Sequence, residues 1–333
     1  MRVGVSGYYG HQNAGDEAIL EAIVQEIKAR GHEPIIFSAA PHQTEARYGV
    51  KAVAARHPWM LWSALGQIDL LLSGGGGLLQ DRTSARSLWY YLMVIQLARY
   101  RGKPVFIFNQ SLGPLSAQGE MRVRRALREV PVIVRDPDSL AYADRLGLQA
   151  ELGADCALLL QAPPVPREED LVVIVPRAGV PGANRTLKAA AERLRSQGLE
   201  VLVLGMQPGQ DDGAVEEFHG FTRELAWDPK RVLYLLAQAG YVLSIRLHGL
   251  ILAAAAKTPF AGISYDPKVM GFCREAGALC LESPGSPGPL VEAAEQRRPP
   301  DWSAIEAMKA RVRGSFDLVL TPRPASPHTS KRS

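Results

Sequence analysis

Three side chains that could bind an anion, Arg246, His248 and Lys268, follow two short apolar runs late in the chain. The run 241–245 has the length and composition of a buried strand, and an Ala-rich stretch of helix formers comes after His248. A second strand-like run, 259–263, ends shortly before Lys268. Two strand ends beside a helix N-terminus predict a cationic pocket with free backbone N–H groups. Because ligands bind beyond the carboxyl ends of parallel strands, the pattern indicates an anion site.

The same residues also have a structural interpretation. Arg246 and His248 are two residues apart, so a regular strand would put both on one face, where neighbouring groups could satisfy them. Charged side chains often belong to structural ion-pair networks, and an Arg-x-His pattern alone favours that interpretation. With Lys268 near the end of the next strand, an anion site and a structural ion-pair network are equally favoured. Spacing alone does not decide between them.

The loop after the first predicted strand, residues 7–16, is rich in glycine and ends in a carboxylate. Its three glycines would let the backbone approach a ligand, but they lack the spacing of a dinucleotide-binding loop, and no P-loop sequence is present. Asp16 and Glu17 open the following helix, where capping and interaction with the helix dipole are the favoured roles. At the edge of a cleft, Asp16 could instead act as an acid or base.

A run of four glycines, 74–77, follows another strand-like run. Consecutive glycines are costly unless the backbone needs positive φ angles or very close approach to another group. We therefore predict that this loop, with Gly75 and Gly76 at its centre, faces a ligand whose identity the loop does not indicate.

Two arginines, Arg135 and Arg177, end one predicted strand in each half of the chain. Either guanidinium could reach into a cleft and bind phosphate or carboxylate in a forked geometry. Each could equally form an ion pair between domains.

Apolar strand-like runs alternate with helical patterns along the chain, which predicts parallel sheets covered by helices on both faces. A proline-rich polar stretch at 161–170 interrupts this alternation and is the best candidate for an interdomain linker. With 333 residues, the chain is long for a single core. We predict an α/β protein of two Rossmann-like domains, 1–160 and 171–320, whose sheets face a central cleft, with a disordered tail at 321–333.

Composition limits the classes of partner. Lys+Arg exceed Asp+Glu by 38 to 34, a net charge of +4, and no basic block with interleaved aromatic residues occurs, so nucleic acid is not expected as a partner. Three scattered cysteines lack metal-ligand spacing, and no motif for a metal or a serine nucleophile appears. Neither a metal nor a cofactor is therefore expected.

The predicted location is the cytoplasm. No apolar run is long enough to span a bilayer, the first strand-like run begins at Arg2 without room for a signal peptide, and scattered cysteines suit a reducing compartment. The helical pattern 85–100 is apolar nearly all round, as in a buried helix. The aromatic cluster 59–62 is a better candidate for contact with lipid or a partner, although packing in the core is the favoured interpretation for it too.

Taken together, the motifs resemble those of the polysaccharide pyruvyl transferase family, most closely its bacterial CsaB-type cell-wall members. The matching segments follow one another in order over most of the chain: GYYGHQNAGDEAIL at 7–20, SGGGGLLQD at 73–81, NQSLGP at 109–114, VRDP at 134–137, S-x-R-L-H at 244–248 and YDPK at 265–268.

The resemblance implies a fold similar to the GT-B glycosyltransferases, with phosphoenolpyruvate as donor substrate and a ketal-pyruvylated sugar as product. It implies an acceptor side in the first domain and a phosphoenolpyruvate side in the second. In the CsaB-type branch, the acceptor is a lipid-linked precursor of a secondary cell-wall polymer that contains N-acetylmannosamine. The pyruvylated polymer then anchors surface-layer proteins. Such an enzyme could sit at the inner face of the plasma membrane without an anchor.

Carried over onto this sequence, the resemblance implies that Arg246, His248 and Lys268 form the donor site and that Asp16 is a catalytic carboxylate. Phosphoenolpyruvate carries a phosphate and a carboxylate, so several cations and helix-end N–H groups are needed to bind it. We assign these anions to Arg246 and Lys268, and proton transfer to His248 and Asp16. The acid and base roles stay open, although a helix N-terminus and Arg246 would both disfavour the imidazolium and so favour His248 as base. The two strand-end arginines match the family less securely.

Two rival classes remain. A nucleotide-sugar glycosyltransferase of similar fold suits the glycine-rich loops, but clustered Arg, His and Lys suit a small dianion better. A non-catalytic binding protein or sensor for a phosphorylated ligand would bind tightly without turnover.

Overall fold

The computed structural model describes residues 1–82 and 84–321, and its first half forms a seven-stranded parallel sheet. The strands are β1 (Arg2–Ser6), β2 (Glu33–Ser38), β3 (Lys51–Ala54), β4 (Leu70–Gly74), β5 (Val105–Gln110), β6 (Val132–Val134) and β7 (Ala150–Leu152). Six helices connect them: α1 (Ala14–Ala29), α2 (Pro41–Tyr48), α3 (Pro58–Gln67), α4 (Ala85–Tyr100), α5 (Ala117–Leu127) and α6 (Pro137–Arg145). The central strands β4 and β5 are buried along their length because helices cover both faces of the sheet.

A 3-10 helix, Cys156–Leu159, leads to a second parallel sheet of six strands. These are β8 (Glu168–Val175), β9 (Glu200–Gly205), β10 (Thr222–Leu225), β11 (Ala239–Ser244), β12 (Phe260–Ser264) and β13 (Cys280–Glu282). The helices of this half are α7 (Pro181–Ser196), α8 (Asp212–Glu216), α9 (Pro229–Gln238), α10 (Leu247–Ala255), α11 (Pro267–Glu275), α12 (Gly288–Glu295) and α13 (Trp302–Leu320). The predicted architecture of two Rossmann-like α/β domains with parallel sheets is confirmed.

The strand order of each sheet determines where a ligand can bind. The first sheet runs β3-β2-β1-β4-β5-β6-β7 and the second runs β10-β9-β8-β11-β12-β13. Connections therefore leave in opposite directions from β1 and β4, and likewise from β8 and β11. A crevice opens at such a switch point, beyond the carboxyl ends of the strands. The loops after β1, β8 and β11 line the cleft between the domains, and the loop after β4 lies against Asp16 and Lys268 of that cleft.

Helix α13 returns from the second domain to the first. The ring of Phe316 packs edge-on against Phe108 of β5, with 4.7 Å between the ring centroids. At the surface, Arg30 Nη2 lies 2.9 Å from Asp317 Oδ1. Helix α13 lies within the range predicted for the second domain, 171–320, but it completes the core of the first domain.

The predicted domain boundaries stay predictions. Strand β8 begins at Glu168, inside the proposed linker 161–170. The proposed tail, 321–333, lies outside the described residues apart from Thr321.

The aromatic segments that were expected to pack in the core divide between core and surface. On α3, Leu61 is 2% exposed, whereas Trp59 is 78% exposed. On α4, which was expected to be buried all round, Leu88 is 1% exposed but the adjacent Trp89 is 61% exposed. Among the described helices, none combines the length and the apolar character needed to cross a bilayer.

Candidate active site

The two switch points enclose a pocket of about 210 Å³ between the domains. Helix α1 and the end of β6 line it from the first domain, and the loops after β8, β11 and β12 line it from the second. The pocket contains all the polar side chains predicted for the site: Asp16, Arg135, Arg177, Arg246, His248 and Lys268. They differ in whether another protein group already pairs with them.

The first turn of α1 points into the cleft, and Asn13 caps it. Asn13 Oδ1 accepts hydrogen bonds from the backbone N–H groups of Gly15 and Asp16, at 3.0 and 3.4 Å. Glu17 is buried, where it accepts hydrogen bonds from the N–H of Gly10 at 2.8 Å and from a tyrosine hydroxyl at 2.9 Å. The capping role expected of Asp16 and Glu17 therefore belongs to Asn13, and the Asp16 carboxylate faces the cleft.

The environment of Asp16 suits proton transfer. Burial raises the pKa of Asp16 from 3.8 to about 6, and the opposing charges of His248 and Arg135 offset this increase only in part. The quadruple-glycine loop lies directly against the carboxylate, since a Cβ added to Gly76 would lie 3.1 Å from Asp16 Oδ1. A carboxyl group that titrates near neutral pH can both give and take a proton.

His248 lies in the first turn of α10, one turn earlier than the predicted start of that helix. Its imidazole packs so closely on α1 that a Cβ at Gly15 would overlap it, which explains the glycine there. On the other side, His248 Nε2 lies 3.5 Å from Asp155 Oδ2, a contact that falls short of a full hydrogen bond. Asp155 can therefore orient the imidazole from the first domain.

Asp155 is held as a carboxylate. Burial alone would raise its pKa, but His248 and Arg135 outweigh burial and lower the pKa of Asp155 to about 2. Arg135 Nη1 lies 2.8 Å from Asp155 Oδ2, and Arg135 Nε donates to Ser111 Oγ at 2.7 Å. The guanidinium of Arg135 thus forms an ion pair within the first domain, instead of the ion pair between domains that was the alternative, and it also lines the pocket. The predicted contact of Arg135 with a ligand stays a prediction.

Arg246 is likewise paired. It caps the start of α10, and its Nη2 forms an ion pair with Asp211 Oδ1. Asp211 is fully buried and also accepts hydrogen bonds from the N–H groups of Met206 and Gln207, at 3.1 and 2.9 Å. Among the described residues, Arg246 Nε has no hydrogen-bond partner. Asp211 therefore holds the guanidinium of Arg246 in position beside the pocket.

Arg177 and Lys268 have no acidic partner within the described part of the chain. Arg177 stacks over the ring of Tyr265, with 4.8 Å from the guanidinium carbon to the ring centroid. Lys268 Nζ reaches across the cleft to the glycine loop, where a Cβ at Gly77 would lie 2.9 Å from it. Burial, with the charge of Arg135, lowers the pKa of Lys268, so an incoming anion would relieve an unfavourable charge.

The glycine loop serves close packing as well as the cleft. Gly75 and Gly76 have φ angles of 74° and 71°, in the left-handed region. A Cβ at Gly75 would overlap Ile19 of α1, so this glycine permits the loop to approach the helix. Gly76 and Gly77 face Asp16 and Lys268, which brings the carboxylate and the ammonium group to opposite sides of one turn.

The fold is that of GT-B glycosyltransferases and some epimerases, a class of two-domain α/β structures. HepE from Anabaena, in complex with UDP-glucose, has 12% sequence identity and a TM-score of 0.62 over 97% of this chain and 100% of that one. S. aureus MnaA with UDP has 10% identity and a TM-score of 0.57 over 97% and 98% of the two chains. MurG from Acinetobacter baumannii has 11% identity and a TM-score of 0.53 over 96% and 98%.

Within this class, the chain belongs to the polysaccharide pyruvyl transferase family, whose model matches residues 13–267. Membership indicates a transferase. None of the curated proteins compared with the chain matches its sequence.

Proposed function

We propose that the protein transfers the pyruvyl group of phosphoenolpyruvate to two hydroxyls of a sugar, forming a ketal and releasing phosphate. One observation carries the proposal. The proton-transfer candidates Asp16 and His248 meet in a pocket that also contains Lys268 and Arg177, two cations without acidic partners among the described residues. One small cleft therefore combines cations that suit a dianion with groups that can transfer protons.

The cations of the second domain suit the anionic groups of the donor. Lys268 and Arg177 can each pair with phosphate or carboxylate, and Arg246 adds a positive charge beside them. The N-terminus of α10 adds free backbone N–H groups beside Arg246. Among the described residues, two of the three cations therefore have no acidic partner that competes with the dianion, while Arg246 is already paired with Asp211.

The chemistry requires two new C–O bonds at C2 of phosphoenolpyruvate and cleavage of the bond from C2 to the phosphate oxygen. The methylene carbon gains one proton and becomes a methyl group. Each of the two sugar hydroxyls loses one proton. One of these protons balances the proton that the methylene carbon gains, and the other leaves with phosphate or solvent. His248 and Asp16 would carry these transfers, with Asp155 as a positioning residue behind the imidazole.

The acceptor that we propose is a lipid-linked precursor containing N-acetylmannosamine, in a pathway that anchors surface-layer proteins. This proposal is supported by the resemblance of the motifs to the CsaB-type branch. It also implies an enzyme that works in the cytoplasm, at the inner face of the plasma membrane. The first domain would bind the acceptor, since its loops form the wall of the cleft opposite the cations.

Phosphate release from phosphoenolpyruvate, with and without a lipid-linked N-acetylmannosaminyl acceptor, tests the proposal. Lys268→Met is the informative variant, because Arg246→Ala would leave Asp211 buried without its partner and destabilise the fold. We expect acceptor-dependent release in the wild type and a loss of about 10- to 100-fold in kcat/KM for phosphoenolpyruvate in Lys268→Met. Lys188→Met, outside the cleft on α7, is the matched control and should behave as wild type. Equal turnover in both variants would contradict the proposed donor site.

A nucleotide-sugar glycosyltransferase is the second candidate, since HepE, MnaA and MurG share the fold. A panel of donors in a thermal-shift assay separates the two. Stabilisation by phosphoenolpyruvate, but not by UDP-sugars, supports pyruvyl transfer. Stabilisation by a UDP-sugar, together with the absence of phosphate release, would favour glycosyl transfer.

A further inference from the structure

An apolar groove runs between α3 and α4 on the surface of the first domain. It has a volume of about 570 Å³, and its lining is mainly aromatic and aliphatic, including Trp62 and Met93. Trp59 and Trp89, which are 78% and 61% exposed, form its rims. Contiguous exposed apolar surface of this kind is unusual in a monomeric protein and marks a site that binds an apolar partner.

Cationic side chains lie at one end of the groove. Ala55, Arg56 and Tyr90 line both the groove and a second pocket of about 310 Å³, so the two cavities are adjacent. The second pocket also contains Arg86 and His11. Neither Arg56 nor Arg86 forms an ion pair with any described carboxylate. An apolar groove that ends in two free guanidinium groups is complementary to an aliphatic chain with an anionic head.

The second pocket adjoins the catalytic cleft through a single loop. Gly7, Tyr8, Tyr9 and His11 line the pocket, and the same loop continues to Asn13 and Asp16, which line the cleft. Tyr8 stacks on His11 with 4.0 Å between the ring centroids, which fixes this side of the loop. Burial, and then the charge of Asp16, raises the pKa of Tyr8, as expected when the hydroxyl lies within electrostatic reach of the catalytic carboxylate.

We propose that the groove, the cationic pocket and the cleft together bind one amphiphilic acceptor molecule. Its aliphatic chain lies in the groove between Trp59 and Trp89, its phosphate linker pairs with Arg56 and Arg86, and its sugar reaches Asp16. This inference rests on the proposed function, because it identifies the region that would hold the acceptor opposite the donor site. The order of the three cavities matches the order of chain, phosphate and sugar in a lipid-linked saccharide.

Calorimetric titration with dodecyl phosphate, kept below its micelle concentration, tests the site without turnover. We expect saturable binding to the wild type, and at least tenfold weaker binding to Trp59→Ser/Trp89→Ser and to Arg56→Gln/Arg86→Gln. Dodecanol should bind at least tenfold more weakly than dodecyl phosphate, and inorganic phosphate alone should not compete. Met121→Ser, an exposed apolar side chain on α5 outside the groove, is the control and should bind as wild type.

Two outcomes would overturn the inference. One is that dodecyl phosphate binds all variants equally. The other is that monomeric dodecyl phosphate does not bind, whereas phosphatidylglycerol vesicles sediment the wild type but not the double Trp variant, which would make the groove a membrane-docking surface.

Failure of the proposed function has a different signature. It would appear as no stabilisation by phosphoenolpyruvate and no phosphate release, with dodecyl phosphate binding intact. Conversely, phosphoenolpyruvate turnover with a short, water-soluble sugar acceptor, unaffected by the four groove and pocket substitutions, would keep the function and reject the groove.

Discussion

The two walls of the cleft use charge in different ways. In the first domain, Arg135 forms an ion pair with Asp155, so a neighbouring carboxylate balances the charge of the arginine. In the second domain, Asp211 fixes Arg246, but Arg177 and Lys268 have no acidic partner among the described residues. The first wall therefore presents the Asp16 carboxyl group, which suits proton transfer, and the second presents cations suited to a dianion. The domain interface brings the two chemistries together at His248, which comes from the second wall and contacts Asp155 of the first.

The largest effect is expected from removing the group that links the walls. His248→Ala should lower kcat by about 10²- to 10⁴-fold, because a general acid or base contributes that much. Phosphoenolpyruvate binding, measured by thermal shift, should change little. His42→Ala, a nearly fully exposed histidine, is the control. Near-wild-type turnover in His248→Ala would remove this residue from the mechanism.

The second wall can be broken at its buried ion pair. Asp211→Ala leaves Arg246 buried without its counter-ion, and should lower the free energy of unfolding by about 3–5 kcal/mol in urea denaturation. The surface pair of Arg231 and Glu224 gives the matched comparison. Glu224→Gln should change the free energy of unfolding by only about 0–1 kcal/mol. If both changes cost the same, the Arg246–Asp211 pair does not organise this wall.

The first wall can be weakened with little change in size. Asp155→Asn keeps the shape of the side chain but removes the charge that faces His248 and Arg135. We expect kcat to fall about tenfold or more, a shift in the pH profile of kcat, and an unchanged KM for phosphoenolpyruvate. A purely structural role would lower thermal stability without moving the pH profile, and that result would reject a positioning role.

A smaller effect is expected at Asp16 in the first wall, through the pH dependence of the free energy of unfolding. The pKa of Asp16 is raised to about 6 by burial, so the folded state binds its proton more tightly than the unfolded state. The stability that this protonated group contributes is present below pH 4 and is lost as pH rises towards 6. Asp16→Asn should therefore gain about 1–2 kcal/mol over wild type at pH 8, and less at pH 4.

Urea denaturation at the two pH values measures this difference. Asp144→Asn, at an exposed position of α6, should show no such pH dependence. An advantage of Asp16→Asn that is equal at both pH values would mean that the carboxyl group is not destabilised by burial.

Sequence patterns predict the fold well because the alternation of apolar strands and helices is strong in both halves. They also predict the clustering of cleft residues, since Asp16, Arg177 and Arg246 all follow strands at switch points. Short elements such as β3 and α8 are missed because a few residues carry too little periodicity. The start of α10 is missed because Arg246 caps it without a typical capping side chain.

Two carboxylates that pair with arginines of the cleft, Asp155 and Asp211, escape the sequence analysis. Their partners Arg135 and Arg246 lie 20 and 35 residues away along the chain, so no local spacing connects them. Asp155 follows the short strand β7. The search for charged side chains after strand ends, which identified Arg135, would also have identified Asp155 if β7 had been predicted. Whether an arginine is free or paired depends on packing between elements, and this is why sequence alone left Arg135 and Arg246 ambiguous.

The return of α13 has a consequence for the order in which the protein is completed. Phe316 is fully buried against the first sheet, so the surface around Phe108 stays open until the last helix has been synthesised. In terms of chain topology, the second domain is an insertion within the first. The domain that begins synthesis first is the one that finishes folding last, and trimming the chain before α13 would expose the core of the first domain rather than shorten the second.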